Sequence, residues 1–424
     1  MFFFGYLYSL SPTPAGLNHS GHLRIDKMLD SPDIDIFCSP IDYFDREPGG
    51  AGHFMTTAES VAVHGKMWFN EDDTRTYLTS EDAGFGRCAT PEETYGVHQR
   101  NFAQIFPRRM GCWYMDLGNA GWLNGADLWQ KIGALRGFWA KHLDDAVTFS
   151  PEIAVITDNY SPLFVRSRSP INAALVSRLR AEIARLGAPV GYWLLSDFLA
   201  GKVKPAKLYI FQNAFVLSAR QRQRIRQLLD QQRATAVWFY APGYIDHEAA
   251  TASPDFVRDL TGIPVQPLPA PVEDLAEPVA TASLCKDVAE PFGSRQKGLR
   301  LQWAVREEAG VHPIARYPSG EIAAAAAEQG RWRSVYFATL FAPAALLRNI
   351  ARAAGVWLYC DTNDVVVADA RFLAIAASET GTKRLHLPYP AVARDCMTGQ
   401  VVGRGRELAF DMRKGETRLL WLEK

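Results

Sequence analysis

The sequence predicts an α/β protein made of three successive units, and three features of its apolar patterning carry this prediction. Over about the first 146 of its 424 residues, short apolar runs alternate with helix-sized polar segments. A second alternation of this kind covers residues 147–361, and from residue 362 onward the apolar runs become short and closely spaced. Strands separated by helix-sized segments indicate a parallel sheet, whereas closely spaced short strands indicate an antiparallel module.

Residues 1–146 contain four apolar runs that we predict to be parallel strands: Phe2–Tyr8, Ile34–Cys38, Lys66–Phe69 and Gly111–Met115. The last three runs continue directly into polar segments at residues 39–43, 70–73 and 116–119. A TIM barrel keeps its active site at the carboxyl ends of its strands, so these polar segments are candidates for chemistry. A complete barrel has eight strands, and this unit supplies half of them.

Residues 147–361 are predicted to form a second α/β unit. Its predicted strands are Ile153–Ile156, Tyr192–Leu195, Leu208–Phe211 and Val237–Tyr240. Helical spacing of apolar residues predicts a helix over Pro170–Leu186, and Ser218 is expected to cap a helix that ends near Gln232. Later in the unit we expect a surface loop over 264–290, an alanine-rich helix over Glu321–Glu328, a helix over Pro343–Ala354 and a strand over Val356–Tyr359.

This second unit lacks the motifs of the enzymes that its pattern suggests. An amidotransferase-like enzyme needs a cysteine on a sharp turn between a strand and a helix, together with a histidine base. The predicted strand Val237–Tyr240 is followed by Ala241-Pro242-Gly243, and no cysteine lies between residues 113 and 284. The strand Ile153–Ile156 is not followed by a dinucleotide fingerprint. We therefore expect no catalytic role for this unit.

Residues 362–424 predict a small antiparallel β domain. Gly, Pro and polar residues separate five short apolar segments: Asp364–Val367, Phe372–Ala376, Arg384–Leu387, Leu408–Asp411 and Thr417–Leu422. Such spacing is typical of strands joined by short turns.

Composition excludes several classes of partner. Lys plus Arg and Asp plus Glu both number 46, so the net charge is zero, and we expect neither nucleic-acid nor membrane binding. No stretch reaches the roughly 18 apolar residues that span a bilayer. The six cysteines form no CxxC pair, and no Cys/His cluster has zinc spacing. We therefore expect buried reduced thiols, a cytoplasmic location, and neither a metal nor another cofactor.

Glu71 is the first candidate for chemistry. It follows Trp68-Phe69-Asn70 at the end of a predicted buried strand and precedes Asp72, Asp73 and Arg75. Adjacent carboxylates raise each other's pKa unless a cation compensates, and Arg75 is close enough in sequence to do so. A strand-end carboxylate that is held ionised suits a nucleophile. A solvated acidic turn after the strand is the alternative.

Other candidates follow the neighbouring predicted strands. Tyr43 and Arg46 come after the second strand, just before the glycine-rich segment 49–52. Such a segment lets backbone approach a ligand closely, although it matches no phosphate-binding motif. Trp113 and Asp116 lie at the end of the fourth strand, where an exposed tryptophan can stack on a sugar ring. A flexible loop and ordinary core packing are the alternatives for these two groups.

Taken together, these segments resemble the beta-galactosidase-like glycoside hydrolases of family 42 and their unclassified relatives. In the first unit the resemblance rests on Ser20-Gly21-His22-Leu23 through Ser39-Pro40-Ile41-Asp42-Tyr43, His64 to Thr76, and Gly111-Cys112-Trp113-Tyr114-Met115-Asp116. In the second unit it rests on Leu194-Leu195-Ser196-Asp197, Tyr209-Ile210-Phe211-Gln212-Asn213 and Tyr240-Ala241-Pro242-Gly243. The resemblance implies the C-terminal half of a TIM barrel over 1–146, with strands 5–8, and an amidotransferase-like (flavodoxin-like) trimerisation domain over 147–361. A small antiparallel β domain over 362–424 completes it.

The resemblance also implies an activity. Such proteins are retaining hydrolases of terminal beta-galactosides or related sugars. The resemblance therefore implies a carbohydrate substrate and a homotrimer for this chain. Their acid/base Glu ends barrel strand 4 and their nucleophile Glu ends strand 7. Glu71 ends the third of four predicted strands, so counting back from the end of the barrel makes it similar to the nucleophile. The residues expected to line the sugar site are Tyr43, Arg46, Asn70, Trp113 and Asp116.

The sequence departs from this family in one respect that bears on activity. An Asn-Glu pair such as Asn70-Glu71 is also usual at the acid/base position, which ends barrel strand 4. Strand 4 would have to be followed by four more strands, whereas one predicted strand follows Glu71 in this unit. Strands 1–4 are therefore absent from the sequence, and the acid/base Glu is absent with them. Retention requires two carboxyl groups roughly 5–5.5 Å apart. We therefore expect the sequence to be the C-terminal part of a longer enzyme. The alternative is an inactive oligomerisation or carbohydrate-binding module, for which the nearby stand-in acids are Glu47, Glu92, Glu93 and Asp116.

Overall fold

The computed structural model describes residues 4–6, 24–145, 148–166 and 169–424. Within them the strands form four sheets, of four, two, ten and five strands. The four-stranded sheet belongs to residues 4–114, the two- and ten-stranded sheets to residues 153–337, and the five-stranded sheet to residues 365–423. The α/β class predicted from the sequence is confirmed.

The first sheet consists of four parallel strands that lie side by side in chain order. They are β1 (Phe4–Tyr6), β2 (Ile36–Pro40), β3 (Met67–Asp72) and β4 (Gly111–Tyr114). The helices of this part are α1 (Ile25–Leu29), α2 (Ala58–Val63), α3 (Pro91–Ile105), followed by a 3₁₀ turn at Phe106–Arg108, and α4 (Ala126–Lys141). The four predicted strands are confirmed. The ends of the first predicted strand and residues 20–23 of the resemblance lie outside the described residues.

The ten-stranded sheet is built around parallel strands in a doubly wound order. These are β5 (Ile153–Thr157), β6 (Val190–Leu194), β7 (Leu208–Phe211) and β8 (Thr235–Phe239). Their spatial order is β6-β5-β7-β8, which is the order of flavodoxin-like sheets. The helical segments between them are a 3₁₀ turn (Ser161–Phe164), a π-helix (Ala173–Arg178) that continues as α5 (Leu179–Ala184), α6 (Leu195–Leu199) and α7 (Ala219–Gln232).

The remaining strands extend this sheet or flank it. In chain order the elements are β9 (Ile245–Asp246), β10 (Thr251–Ala252), α8 (Pro254–Thr261), β11 (Val265–Pro267), β12 (Glu277–Pro278), a 3₁₀ turn (Ser283–Cys285), β13 (Trp303–Val305), β14 (Val311–Arg316), β15 (Ile322–Gln329), β16 (Trp332–Phe337) and α9 (Ala344–Ala353). Strand β16 pairs in parallel with β8, whereas β13, β14 and β15 pair antiparallel. The Ser218 cap of α7 is confirmed, because its side chain accepts the backbone N–H of Gln221.

The alanine-rich helix predicted over Glu321–Glu328 is wrong, because this segment forms strand β15. β15 lies inside the sheet, with β14 on one side and β16 on the other. Ala323, Ala324 and Ala325 are fully buried. Alanine has the highest helix propensity, but pairing on both sides of a central strand and burial of both faces outweigh that local preference.

Two further predictions in this part need correction. Val356–Tyr359 has no regular structure, because Val356 N–H donates to the Ala351 carbonyl at the end of α9 and Tyr359 N–H donates to Gly187. These two backbone N–H groups are therefore hydrogen-bonded without pairing to a neighbouring strand. The proline-rich loop predicted over residues 264–290 contains the short strands β11 and β12.

The five-stranded sheet is antiparallel, as predicted. Its strands are β17 (Val365–Ala368), β18 (Phe372–Ala376), β19 (Gly381–Asp395), β20 (Val401–Met412) and β21 (Thr417–Glu423). It packs against α3 and α4 through an aromatic cluster in which the rings of Phe106 and Phe372 lie 4.8 Å apart.

Helix α2 of the first part covers the edge of the ten-stranded sheet. Strand β6 is the last strand on that side. The Glu59 carboxylate accepts the N–H of Tyr192 at 2.7 Å, and the Ser60 hydroxyl accepts the N–H of Leu194 at 2.7 Å. Because an uncovered edge strand presents unpaired backbone groups, these two side chains complete the sheet at this boundary.

Arg180 joins the first and second parts from the inside. It is fully buried. Its guanidinium donates to the carbonyls of Phe54 and Thr56, at 3.1 and 2.8 Å, and to the side-chain oxygens of Thr157 and Gln212, at 2.9 and 3.2 Å. Burial lowers the pKa of Arg180 to about 10, so the side chain remains charged near neutral pH.

Replacing Arg180 by Leu is expected to destabilise the protein strongly. The substitution leaves two buried carbonyl groups without donors, and each such group costs about 1–3 kcal/mol. We expect the free energy of unfolding, measured by urea titration with circular dichroism, to fall by about 3–5 kcal/mol. Arg220→Leu, on an exposed position of α7, is the matched control and should change it by less than about 0.5 kcal/mol. Equal effects of the two variants would contradict a stabilising role for the buried network.

Candidate active site

Glu71 lies at the carboxyl end of β3. In the parallel register it is beside Pro40 of β2 and Trp113 of β4. Only 4% of its surface is exposed. Side chains alternate along a strand, and the next residue, Asp72, contacts helix α3. Glu71 therefore belongs to the face of the sheet that is turned away from α3.

The face that carries Glu71 is the more open of the two. Met67, at the start of β3 on the same face, is 43% exposed, whereas Trp68 on the opposite face is 2% exposed. In a closed barrel the face away from the helices is filled by side chains from all the strands. The exposed part of this face is therefore the start of β3, whereas Glu71 is buried at its carboxyl end.

Trp113 and Cys38 share the face of Glu71. The indole Nε1–H of Trp113 donates to the Cys38 sulfur at 3.2 Å, and the indole is half-buried. Burial raises the pKa of Cys38 to about 12, and the negative charge of Glu71 acts in the same direction. Cys38 is therefore a neutral thiol at physiological pH, and it positions the Trp113 ring beside Glu71.

The negative charge of Asp72 is compensated by two residues of α3 and by Thr74. Its carboxylate accepts hydrogen bonds from His98 Nδ1 at 2.9 Å, from Asn101 at 3.1 Å and from the Thr74 hydroxyl at 2.5 Å. Burial favours the protonated acid, but the charge of His98 and these hydrogen bonds outweigh it, so the pKa of Asp72 lies well below its usual range. Asp72 is a structural carboxylate that ties the strand end to the helix.

Asp73 is held by two arginines and a tyrosine. Arg46 and Arg75 each donate to its carboxylate at 2.6 Å, and Tyr43 donates its hydroxyl at 3.0 Å. The Arg46 guanidinium also lies over the Tyr43 ring, 5.0 Å from its centroid. The sequence prediction that Arg75 compensates the acidic run is confirmed for Asp73. The structure also brings Tyr43 and Arg46 to the end of β3.

Aromatic rings surround the Arg75 guanidinium. Its central carbon lies 4.6 Å from the Trp122 ring and 4.8 Å from the Phe85 ring. Tyr43 and Phe85 meet edge to face at 5.4 Å, and they are 37% and 57% exposed. Together these rings form an aromatic wall beside the strand end, which suits the apolar faces of a sugar.

Asn70 and Asp116 occupy different surroundings from Glu71. Asn70 is fully buried and lies opposite Cys112 in the register, on the face of Asp72. The Asp116 carboxylate accepts the backbone N–H groups of Ala120 and Gly121, at 2.9 and 2.8 Å, and so shapes its own loop. The structure does not bring either side chain into a contact with Glu71.

The stand-in acids named from the sequence have other contacts or lie in solvent. Glu93 accepts the N–H of Ala89 at 2.6 Å within the first turn of α3, where Thr90 caps the helix as predicted. Glu92 and Glu47 are exposed. None of these stand-in acids, which all belong to the described residues, is therefore seen in a contact with Glu71.

Sequence reasoning missed His98 and Asn101. Both lie on α3, some 30 positions after the strand end that they support, and both are buried. Their spacing of three residues places them on one face of a helix. The sequence signal for them is a polar pair at helical spacing in the first predicted helix after the acidic strand end, and it does not identify their partner.

No group of three or more His, Cys, Asp or Glu side chains in the described part of the chain has the arrangement of a metal site. Across the same residues, none of the helices has the length and apolar character to cross a membrane.

No protein-family model matches the sequence, and no curated protein matches it. Solved structures do match. The beta-galactosidase from Bacillus circulans sp. alkalophilus aligns with a TM-score of 0.59 and 11% identity over 96% of this chain and 67% of that chain. The beta-galactosidase from Rahnella sp. R3 gives 0.62 and 13%, over 91% and 60%. Gan42B, a GH42 beta-galactosidase from G. stearothermophilus, gives 0.61 and 11%, over 94% and 61%.

The chain is a partial structural relative of these beta-galactosidases. It spans 60–67% of the length of these three structures, while they cover more than nine-tenths of it. At 11–13% identity the likeness concerns the fold, and it agrees with the resemblance to family 42 beta-galactosidases found in the sequence.

The pKa of Asp72 generates a testable pH dependence. Because the folded-state pKa lies below the unfolded value of about 3.9, Asp72 stabilises the fold above that pH, and the contribution is lost as the pH falls below it. We expect Asp72→Asn to be less stable than the parent at neutral pH and to lose less stability between about pH 5 and about pH 2. Urea unfolding across this range measures both, and Asp82→Asn, at an exposed position, is the control. Parallel pH profiles for the parent and Asp72→Asn would contradict the assignment.

Proposed function

We propose that this chain is the nucleophile-bearing part of a retaining glycoside hydrolase that cleaves terminal beta-galactosides or related sugars. The observation that carries the proposal is the position of Glu71, a buried carboxylate at the carboxyl end of a parallel strand, on the face turned away from α3. Active sites of barrel enzymes are built at this end of the strands. The fold shared with beta-galactosidases supports the choice of substrate class.

The surroundings of Glu71 support the role of a nucleophile. Its two acidic neighbours are compensated separately, Asp72 by His98 and Asp73 by Arg46 and a second arginine. Their compensation reduces the repulsion that adjacent carboxylates exert on one another. Glu71 lies on the opposite face of the strand from Asp72, on the face that carries Trp113.

The proposed chemistry follows the retaining mechanism. A Glu71 oxygen forms a bond to the anomeric carbon while the bond between that carbon and the leaving oxygen breaks, and a second carboxyl group protonates the leaving oxygen. Water then releases the sugar, with the second group as base. We propose that this second carboxyl comes from outside the described residues, because the nearby stand-in acids are engaged or exposed.

We propose that Tyr43, Arg46, Asn70, Trp113 and Asp116 belong to the sugar site. Trp113 has the best support, because its half-buried ring lies next to Glu71 in the register and is fixed by Cys38. Tyr43 and Arg46 hold the aromatic wall and Asp73 in place. Asn70 contributes by packing inside the end of β3, and Asp116 contributes by fixing the loop after β4.

The proposal includes the organisation of the chain. Residues 1–146 form the partial barrel with strands 5–8, residues 147–361 the trimerisation domain, and residues 362–424 the C-terminal β domain. The separate sheets support this division. Size-exclusion chromatography with light scattering measures whether the chain is a homotrimer.

A second candidate function is sugar binding or oligomerisation without hydrolysis. The observation that favours it is that Glu93 and Asp116, two of the stand-in acids, are bonded to backbone N–H groups of their own segments. Glycosyl transfer to Glu71 with ordinary substrates needs a second carboxyl group, whereas stacking on Trp113 does not.

Covalent trapping with an activated fluorosugar tests the proposal. In 2,4-dinitrophenyl 2-deoxy-2-fluoro-beta-galactoside the leaving group departs without protonation, so the nucleophile alone suffices to form the glycosyl-enzyme, and the fluorine slows its hydrolysis. We expect intact-mass spectrometry to show one added fluorogalactosyl group per chain, and peptide mapping to place it on Glu71.

The variants Glu71→Gln and Glu47→Gln make the experiment specific. Glu71→Gln should not be labelled, and Glu47→Gln, at an exposed position of the neighbouring loop, should be labelled like the parent. Labelling of a residue other than Glu71 would contradict the nucleophile assignment. Galactoside binding by equilibrium dialysis without any labelling would favour the second candidate function.

A further inference from the structure

A cavity lies at one edge of the ten-stranded sheet's parallel strands, where β5, β7 and β8 end, apart from the residues of the candidate active site. Its volume is about 810 Å³, and none of the residues assigned to the sugar site lines it. Its walls come from the segments after β5, β7 and β8 and from residues 298–301. Cavities of roughly 300–1,000 Å³ are typical of small-molecule sites.

The position of this cavity follows from the strand order. From β5 the chain crosses to β6 on one side of the sheet, and from β7 it crosses to β8 on the other side. β5 and β7 are neighbours, so the chain leaves their carboxyl ends in opposite directions. In open α/β sheets ligands bind in the crevice at such a switch point. The lining residues Phe164 and Phe215 come from the segments that follow these two strands.

Tyr240 lines the cavity from a strained turn directly after β8. Its φ angle is +63°, in a region that bulky residues rarely adopt. Three hydrogen bonds hold it there: its N–H donates to Phe337 at 2.7 Å, its carbonyl accepts from the Tyr336 hydroxyl at 2.5 Å, and its hydroxyl donates to the Leu301 carbonyl at 2.7 Å. Burial raises the pKa of Tyr240 above its usual range, so the phenol is neutral. A neutral, hydrogen-bonded phenol suits binding and not nucleophilic catalysis.

The chemistry of the lining indicates an anionic ligand with an apolar body. The walls are aromatic and aliphatic, and the Tyr240 and Phe215 rings lie 5.8 Å apart. Arg166 and Arg300 also line the cavity, both are exposed, and neither forms an ion pair within the described residues. No Asp or Glu of the described chain lines it. The cavity therefore combines two positive charges with apolar walls.

We propose that this cavity binds a small aromatic carboxylate, with its ring between the aromatic walls and its carboxylate towards Arg166 and Arg300. Guanidinium groups pair with carboxylates through paired hydrogen bonds, and the apolar walls remove the ring from water. This site is independent of Glu71 and of the proposed hydrolase activity.

Isothermal titration of the full chain with 2-naphthoate tests the proposal. We expect 2-naphthoate to bind at least about tenfold more tightly than 2-naphthalenemethanol, which has the same ring system without the charge. The double variant Arg166→Glu and Arg300→Glu should weaken 2-naphthoate binding by more than about tenfold, since it reverses both charges. Both positions are exposed, so the variant should keep the thermal stability of the parent.

Matched controls locate the binding site. Arg220→Glu, an exposed charge reversal on α7, and Glu71→Gln, in the candidate active site, should leave 2-naphthoate binding unchanged. No binding at millimolar ligand, equal binding of the acid and the alcohol, or equal binding by the charge-reversed variant would overturn the proposal. An oligomer that dissociates in the charge-reversed variant, with no naphthoate binding by the parent, would identify the face as a subunit contact and would also overturn it.

Discussion

The repulsion among three consecutive carboxylates at the end of β3 is the constraint around which the first part of the chain is arranged. Glu71, Asp72 and Asp73 are all less than 5% exposed, and like charges in such a setting disfavour one another's ionised forms. Strand alternation separates the first two onto opposite faces. A helix then supplies His98 to one side, and two arginines from the loops supply charge to Asp73. Loss of all the partners of either Asp72 or Asp73 would leave a buried carboxylate uncompensated, which is costly. The positions of α3 and of the loop after β2 therefore follow from the electrostatics of one strand end.

A sheet of four parallel strands has little core of its own, and this sheet shares the core of the next part of the chain. Phe54 and Trp68 belong to the same hydrophobic cluster as residues of β5 and β6. Arg180 and the side chains of α2 add directional contacts across the same boundary. Apolar burial supplies most of the stabilisation in such a junction, and the buried hydrogen bonds fix how the parts meet. The geometry around Glu71 therefore depends on the second part of the chain, although that part contributes no side chain to the proposed chemistry.

The features that the sequence predicted correctly are local ones. Thr90 with Pro91, and Ser218 with Gln221, encode helix starts within four residues, and apolar runs followed by acids encode strand ends such as Glu71. The errors arise where distant pairing decides. Alanines favour a helix until neighbours on both sides make their segment a central strand, as in β15. His98 could not be assigned to Asp72 from sequence, because the contact needs the packing of α3 on the sheet.

The arrangement around Glu71 also limits where a second catalytic group can stand. The face towards α3 is filled by the contacts of Asp72, and the neighbouring strand carries Trp113. An acid that protonates a leaving group must lie on the other side of the sugar from these side chains, roughly 5–5.5 Å from Glu71. On the proposed function, a group that completes the reaction approaches Glu71 on the face turned away from α3, whether it belongs to other residues of the same polypeptide or to another chain. On the proposed function, the described residues supply the attacking carboxylate, and protonation of the leaving group is left to whatever covers this face.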